Sequence, residues 1–384
     1  MKRTDLPDQG FVFWPVGAGD STTILINDTT VMQIDINHLE AADEEEDPRW
    51  PVVDELVELL PRVGGRPYLA AFVATHADMD HCQGFGKLLE DHDVLIGELW
   101  FTPRLVADIE AEDPDELSED ARVLRDEALR RIRRNAYVEA APRSGDRVRV
   151  IGYHESLSGE FALIPRSLIS PAGDVVTHVD GLNVESDLRI FVHSPFKKYM
   201  EDTERNRTSI GLHVTLLPSG SRAMLLGDLD YEPVKQVFEY TKDLDNKKWD
   251  VFLAPHHCSK SVMYERISGT DVLRRDVLRL IEGAKASDAW IVSSSGPIPP
   301  SNSAGDNPPH AKAKIRYSEI CDTFVCTGEH PDEESPAPLI FESTADGVSL
   351  LGAEGGGTSA AAEQVDQARG GKKPADTAVG FGAC

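Results

Sequence analysis

Short apolar runs separated by turn residues open the chain. Phe11-Val12-Phe13-Trp14 is followed by Gly17-Ala18-Gly19-Asp20, then Thr23-Ile24-Leu25-Ile26, Asn27-Asp28 and Val31-Met32-Gln33-Ile34-Asp35. Such runs between Gly, Asn and Asp predict a sheet begun by consecutive hairpins. After the acidic stretch from Asp43 to Asp47 the period changes. Val53, Leu56, Val57 and Leu60 recur at helical spacing, which predicts a helix over 52–60. Tyr68 to Thr75 predicts a buried strand, and Gly84 to Leu89 a helix. Residues 104–136 are charge-dense and helical, read as an insertion with a solvated face. Short strands return over 146–195, and Ile210–Leu217 with Ala223–Leu226 predicts a hairpin around Pro218-Ser219-Gly220. Helix (Pro233–Tyr240), strand (Val251–Ala254), helix (Val272–Ile281) and strand (Ala289–Ser293) follow. The expected organisation is one domain over 1–352 and a disordered Gly/Ala-rich tail over 353–384.

Composition narrows the class. A chain of 384 residues with 40% hydrophobic and 27% charged side chains is globular in make-up. The 39 basic and 66 acidic residues give a formal charge of −27. No global positive field exists to gather nucleic acid or an anionic membrane, though a local groove or a bound cation is not excluded. The only dense basic cluster is Arg130, Arg131, Arg133 and Arg134, a possible phosphate contact whose ordinary reading is a solvated helix face. No window approaches the roughly 18 apolar residues of a membrane helix, and the first residues do not read as a signal peptide. Five scattered cysteines without a CxxC pair speak against a disulfide framework and for a reducing cytoplasm.

Candidate chemistry is concentrated after strands. Thr75-His76-Ala77-Asp78-Met79-Asp80-His81 sets two imidazoles and two carboxylates at the mouth of a buried strand. Such groups repel one another or must be desolvated unless a cation collects them. Met224-Leu225-Leu226-Gly227-Asp228 ends a second apolar strand on a carboxylate, and Ala254-Pro255-His256-His257-Cys258-Ser259 ends a third on paired imidazoles. Together they fit one metal-centred site better than three separate polar turns.

The ordered motifs resemble the metallo-β-lactamase superfamily, and within it the hydrolase domain of ComEC-type DNA-uptake proteins and their stand-alone relatives. The matching segments are Val16 to Ser21 (V-G-x-G-D-S), Ile34-Asp35, His76 to His81 (H-x-D-x-D-H), Asn206 to Ser209 (N-x-x-S), Gly227-Asp228, Pro255 to Ser259 and Asn307 to His310 (N-x-x-H). The resemblance spans about residues 10 to 350 and leaves the helical stretch unaccounted for. It implies an α/β fold, a four-layer αββα sandwich of two mixed sheets with helices outside. It further implies that His76 and Asp78 hold one metal, Asp80 and His81 a second, and Asp228 bridges them. One of His256 and His257 completes the second site, and both are carried. Asp80 would orient the nucleophile, and His310 would lie over the substrate as a proton donor or phosphate contact.

Three departures stand out. Cys258 replaces the usual Gly of P-H-H-G-S, and Arg207 replaces the acidic residue that commonly follows Asn206. No histidine lies near there, so the first metal lacks a third imidazole; His193 is the nearest substitute, with a structural role preferred. The oxygen-rich donors favour two divalent ions of manganese or magnesium, while the histidine count keeps zinc in play. The expected function is a metal-dependent hydrolase of phosphodiester bonds, most concretely a nuclease using a metal-activated hydroxide. The alternatives are a hydrolase of a small phosphodiester, nucleotide or lactone, and a regulatory subunit with a vestigial site. In the last case the acidic surface or the helical stretch would bind a partner protein.

Overall fold

A computed structural model describes residues 1–44, 47, 49–105, 118–137, 142–200, 202, 204–302 and 307–352. The expected tail over 353–384 lies outside the described residues.

The strands are, in chain order, β1 (Gly10–Phe13), β2 (Thr22–Asn27), β3 (Thr30–Ile34), β4 (Arg62–Val63), β5 (Arg66–Val73), β6 (Leu95–Phe101), β7 (Arg147–Ile151), β8 (Ile169–Ser170), β9 (Val175–Val176), β10 (His178–Val179), β11 (Leu182–Asn183), β12 (Leu188–Ser194), β13 (Gly211–Leu216), β14 (Ser221–Leu225), β15 (Trp249–Leu253), β16 (Tyr264–Ile267), β17 (Thr270–Leu273), β18 (Lys285–Ser293), β19 (Phe324–Cys326), β20 (Leu339–Thr344) and β21 (Gly347–Leu350). One sheet runs β21-β20-β1-β2-β3-β5-β6-β7-β8, with β4 on β5; the other runs β19-β18-β15-β14-β13-β12-β9. Each is mixed. The first is antiparallel through β1, β2 and β3 and parallel from β3 to β8. The second is antiparallel from β9 to β14 and parallel from β14 to β19.

The side-chain alternation of strands explains the layering. Phe11, Phe13, Ile24, Ile26 and Met32 of the first sheet share one buried cluster with Ile190, Leu212, Val214, Leu225 and Val251 of the second. The intervening Val12, Leu25 and Val31 face away, onto α1 (Val52–Leu59) and α2 (Glu119–Tyr137). Against the second sheet, α3 (Tyr231–Tyr240), α4 (Arg275–Gly283) and α5 (Ala311–Ile320) enclose a third cluster with Met224, Phe252 and Ile291. Both faces of both sheets are thus apolar, which is why these strands read as continuous hydrophobic runs. The architecture is the expected four-layer αββα sandwich.

One sequence expectation is corrected and another sharpened. Within the charge-dense stretch over 104–136 the described helix α2 lies in the chain between the parallel strands β6 and β7 and packs in the outer layer. Ala121, Leu124, Ala128 and Ile132 are buried at helical spacing, while Arg130, Arg133 and Arg134 lie on the exposed face. Its basic cluster is spent internally. Arg131 is 1% exposed, pairs with Glu127 at 2.6 Å and donates to the carbonyls of Ile96 and Arg147. Arg130 engages Glu127 and Asp146 at 2.6 and 2.7 Å. The helix expected over 272–281 begins later, because Val272 and Leu273 close a β16–β17 hairpin whose β-branched and aromatic pairs outweigh the helical period.

Candidate metal centre

Loops following β5 and β15 bring four histidines to one carboxylate, Asp228, just past β14, and those following β3 and β18 stand behind two of the rings. Asp35, just past β3, adopts a left-handed φ of 51°. In that conformation its carboxylate accepts Thr75 N–H (2.8 Å) and Thr75 Oγ1–H (2.6 Å), and faces His81 Nδ1 at 2.7 Å. The turn before β2 is equally constrained. Gly19 has φ 131°, and a Cβ there would lie 2.5 Å from the Asp80 carbonyl, so only glycine lets the chains approach. The next residue, Asp20, donates its N–H to that carbonyl at 3.2 Å.

The turn after β15 is more unusual. His256, His257 and Cys258 all adopt left-handed φ, at 53°, 52° and 64°. Each costs an L-residue on the order of 1 kcal/mol or more. The φ of Cys258 accounts for the glycine expected there from the resemblance. His256 N–H donates to the Gly227 carbonyl at 3.0 Å, which fixes this turn beside Asp228.

The two oxygens of Asp228 face different partners. Oδ1 lies 3.3 Å from His81 Nε2 and 3.4 Å from His257 Nε2, and His257 Nε2 is also 3.4 Å from Asp80 Oδ2. Oδ2 lies 3.8 Å from His76 Nε2 and 3.6 Å from His256 Nε2, and His76 Nε2 is 3.7 Å from Asp78 Oδ2. The opposite nitrogen of every ring is held from behind. Thr75 Oγ1 meets His76 Nδ1 (3.0 Å), Asp35 meets His81 Nδ1, Ser261 Oγ meets His256 Nδ1 (3.4 Å), and the Ser294 carbonyl meets His257 Nδ1 (3.2 Å). Asp20 Oδ1 adds to the last at 3.4 Å. Asp20, His81, Asp228 and His257 form a fully buried group of possible donors within 4.8 Å of one another.

These residues fit a divalent cation. With Nδ1–H of His81 and His257 given to Asp35 and the Ser294 carbonyl, their Nε2 lone pairs face each other at 3.2 Å and face Asp228. Only a cation, a proton or a metal, reconciles that arrangement. Burial pushes His81 and His257 down, yet the Asp228 carboxylate, with Asp35 at one ring and Asp20 at the other, holds both well above the ordinary histidine value. Burial works to raise Asp228, and the two imidazoles hold it well below the carboxylate range. His76 is pushed down by burial and by His81. Buried His76 Nε2, Asp228 Oδ1 and Asp20 Oδ1 receive no hydrogen bond of proper geometry, the signature of donors arranged for an ion. A second grouping of His38, Asp43 and Asp54 is already filled by Lys87 Nζ, at 2.6 and 2.9 Å from the two carboxylates.

The structure therefore brings together His76, Asp78, Asp80, His81, Asp228, His256 and His257. Asp80 is the most open of them, its side chain 38% exposed. His310, just before α5, is buried against the turn after β15: its N–H donates to the Cys258 carbonyl and its Nδ1 accepts Lys260 N–H, both at 3.2 Å. His193 is elsewhere, buried against His213 and 3.2 Å from Thr241 Oγ1. Asp20 and Asp35 were read from the sequence only as parts of turn and strand-end motifs. A carboxylate directly after Gly19, and one at the end of a strand parallel to that preceding His76, were the available signals.

No family model and no curated protein matches the chain. Among solved structures it is similar to the metallo-beta-lactamase fold protein YhfI from Bacillus subtilis, at 9% identity over 82% of this chain and 95% of that one, with a TM-score of 0.40. Unliganded yeast PDE1 gives 9% identity, coverage of 83% and 97%, and a TM-score of 0.41. ST1585 from Sulfolobus tokodaii, an archaeal metallo-beta-lactamase superfamily protein, gives 12%, 82% and 97%, and 0.30.

Proposed function

We propose that the chain is a metal-dependent hydrolase of phosphodiester bonds. The observation that carries this reading is the convergence of four imidazole Nε2 atoms, three of them buried, on the Asp228 carboxylate, with His76 Nε2 and Asp228 Oδ1 left without a hydrogen bond. His81, His257, Asp80 and Asp228 would hold one divalent cation, with His76 and Asp78 toward another; manganese or zinc suits this mixed set, and magnesium its oxygen-rich part. When bound, such ions lower the pKa of water and neutralise charge developing on a phosphoryl group. Asp80, 38% exposed and 3.4 Å from His257, would orient the attacking water. Arg205, 3.3 Å from Asp78 Oδ1, sets a guanidinium at the rim, suited to an anionic ester. With Nδ1 accepting Lys260 N–H, His310 is a neutral imidazole carrying its one proton on Nε2, suited to donate a hydrogen bond to a phosphoryl oxygen rather than to transfer that proton.

A small phosphodiester is favoured over a polymer by one specific observation. Arg130 and Arg131, half of the basic cluster whose ordinary reading was a solvated helix face, are paired with Glu127 and Asp146, and the charge of −27 repels a polyanion beyond the site. The test is turnover of bis(p-nitrophenyl) phosphate and of labelled single- and double-stranded DNA and RNA with manganese. We expect activity that is lost on chelation and in Asp228→Asn. Cleavage of the polymers would restore the nuclease form; no turnover of any phosphodiester, with hydrolysis of a lactone or carboxylic ester, would overturn the proposal.

A further inference from the structure

We propose that Gln33 is a positioning residue for the metal centre. Its buried carboxamide fixes the two turns whose carboxylates, Asp35 and Asp20, stand behind His81 and His257. The inference rests on the reading that the cluster holds a divalent cation, and it concerns a side chain remote from the donors.

Placement is the first argument. Gln33 lies within β3 and is fully buried. By strand alternation it shares the face of Val31, which packs with Trp14 in the cluster under α1 and α2. Its cross-strand partner on β2 is Thr23, also fully buried. An apolar side chain would fill this place without cost, whereas a primary amide here must find a partner for every donor and acceptor.

Hydrogen bonding is the second. The Asp35 carbonyl can only accept, so the amide nitrogen must face it, and it does at 2.6 Å. The same Nε2 donates to Ser21 Oγ at 2.9 Å. On the other side Oε1 accepts Thr23 Oγ1–H (2.6 Å), and Thr23 Oγ1 in turn accepts Trp14 Nε1–H (2.8 Å). Every polar atom of the carboxamide is used, and a satisfied buried network of this kind specifies one arrangement.

The destinations are the third. The two Nε2 contacts reach different turns. Asp35 has left-handed φ, and its Oδ2 faces His81 Nδ1 at 2.7 Å, so a held carbonyl secures a strained residue that grips the ring. Ser21 follows Asp20, whose Oδ1 lies 3.4 Å from His257 Nδ1. Ser294 holds that turn from the second sheet, its Oγ–H donating to the Gly19 carbonyl at 2.7 Å. One amide nitrogen thus ties together the rear supports of two imidazoles whose Nε2 atoms are 3.2 Å apart. Supports of this kind set the direction and basicity of a metal-binding ring.

The experiment is manganese affinity of the full chain, by competition with a chromophoric chelator, with metal-free unfolding temperatures alongside. Gln33→Met keeps the length and removes all three bonds. Thr23→Val cuts the same buried chain at its other end and spares both Nε2 contacts. Gln33→Met should weaken manganese about tenfold or more, and Thr23→Val less than about twofold, although both lower the unfolding temperature. In the Gln33→Met/Asp35→Asn pair the loss should fall short of the product of the singles, because Gln33 acts partly through Asp35. Unchanged affinity in Gln33→Met, equal losses in Gln33→Met and Thr23→Val, or the full product in the pair would overturn the inference. Should Gln33→Met not fold, Ser21→Ala decides: weakened manganese supports the tie to the Asp20 turn, and wild-type affinity overturns it. A wild type that binds no manganese would sink the proposed function itself.

Discussion

Each imidazole around Asp228 is held at two points, and the rear point is what turns a cluster of polar side chains into a site. Asp35 illustrates the consequence. Its Oδ2 faces His81 Nδ1 at 2.7 Å and accepts Thr75 Oγ1–H at 2.6 Å, so Asp35→Asn keeps the shape but weakens the grip on the ring. The expected result is a loss of about 10–100-fold in manganese affinity, read by competition with a chromophoric chelator; unchanged affinity would show that Asp35 serves folding alone. His76 to His81 were legible in the sequence because their chemistry is dense enough to need a cation. Asp20 was not, since a single carboxylate after glycine is first of all a turn residue, and its partner His257 lies far along the chain. The separate destinations of His256 and His257 were hidden too. They depend on a left-handed turn that Cys258, standing where glycine would announce it, conceals.

At the scale of elements, α2 shows how charge density misleads. Its arginines read as a solvated face, yet Arg131 is a buried post between Glu127 and the carbonyls of β6 and β7. Arg131→Ala should cost about 3 kcal/mol, toward the low end for breaking a buried pair because Arg130 still answers Glu127. Arg130→Ala, at an exposed position, should cost about 1 kcal/mol or less. Denaturant unfolding of both variants decides it, and equal losses would contradict the assignment. The second sheet carries its own liability. Burial pushes His213 on β13 down to about 4, while its Nε2 meets the Lys248 carbonyl at 2.7 Å. The unfolded chain, with an ordinary histidine value near 6.5, takes up a proton that the folded chain refuses between those limits. Stability is therefore full above pH 6.5 and falls as pH drops toward 4, by roughly 3 kcal/mol from this group. His213→Gln should flatten that part of the stability profile, and an unaltered slope would assign the loss to other groups.

Across the whole molecule, the opening hairpins made a sheet legible, and the αββα arrangement was legible only through the resemblance carried by the ordered motifs at the strand ends. What could not be read was closure of the first sheet by β20 and β21. Phe11 pairs with Phe341 across more than three hundred residues, and no local pattern encodes that contact. The acidity now has a clearer meaning. The carboxylates of the site account for a small part of −27, and in the basic cluster Arg131 is buried while Arg130 and Arg134 pair with nearby carboxylates, so under the proposed function attraction for an anionic ester would rest on the metal centre and Arg205. The account stands on Asp228 as the hub of a metal site. Anomalous-difference density from crystals grown with manganese tests that directly. A peak within ligand distance of Asp228 Oδ1, His81 Nε2 and His257 Nε2 is the predicted result; no peak at Asp228, with water or protons alone between these groups, would contradict it.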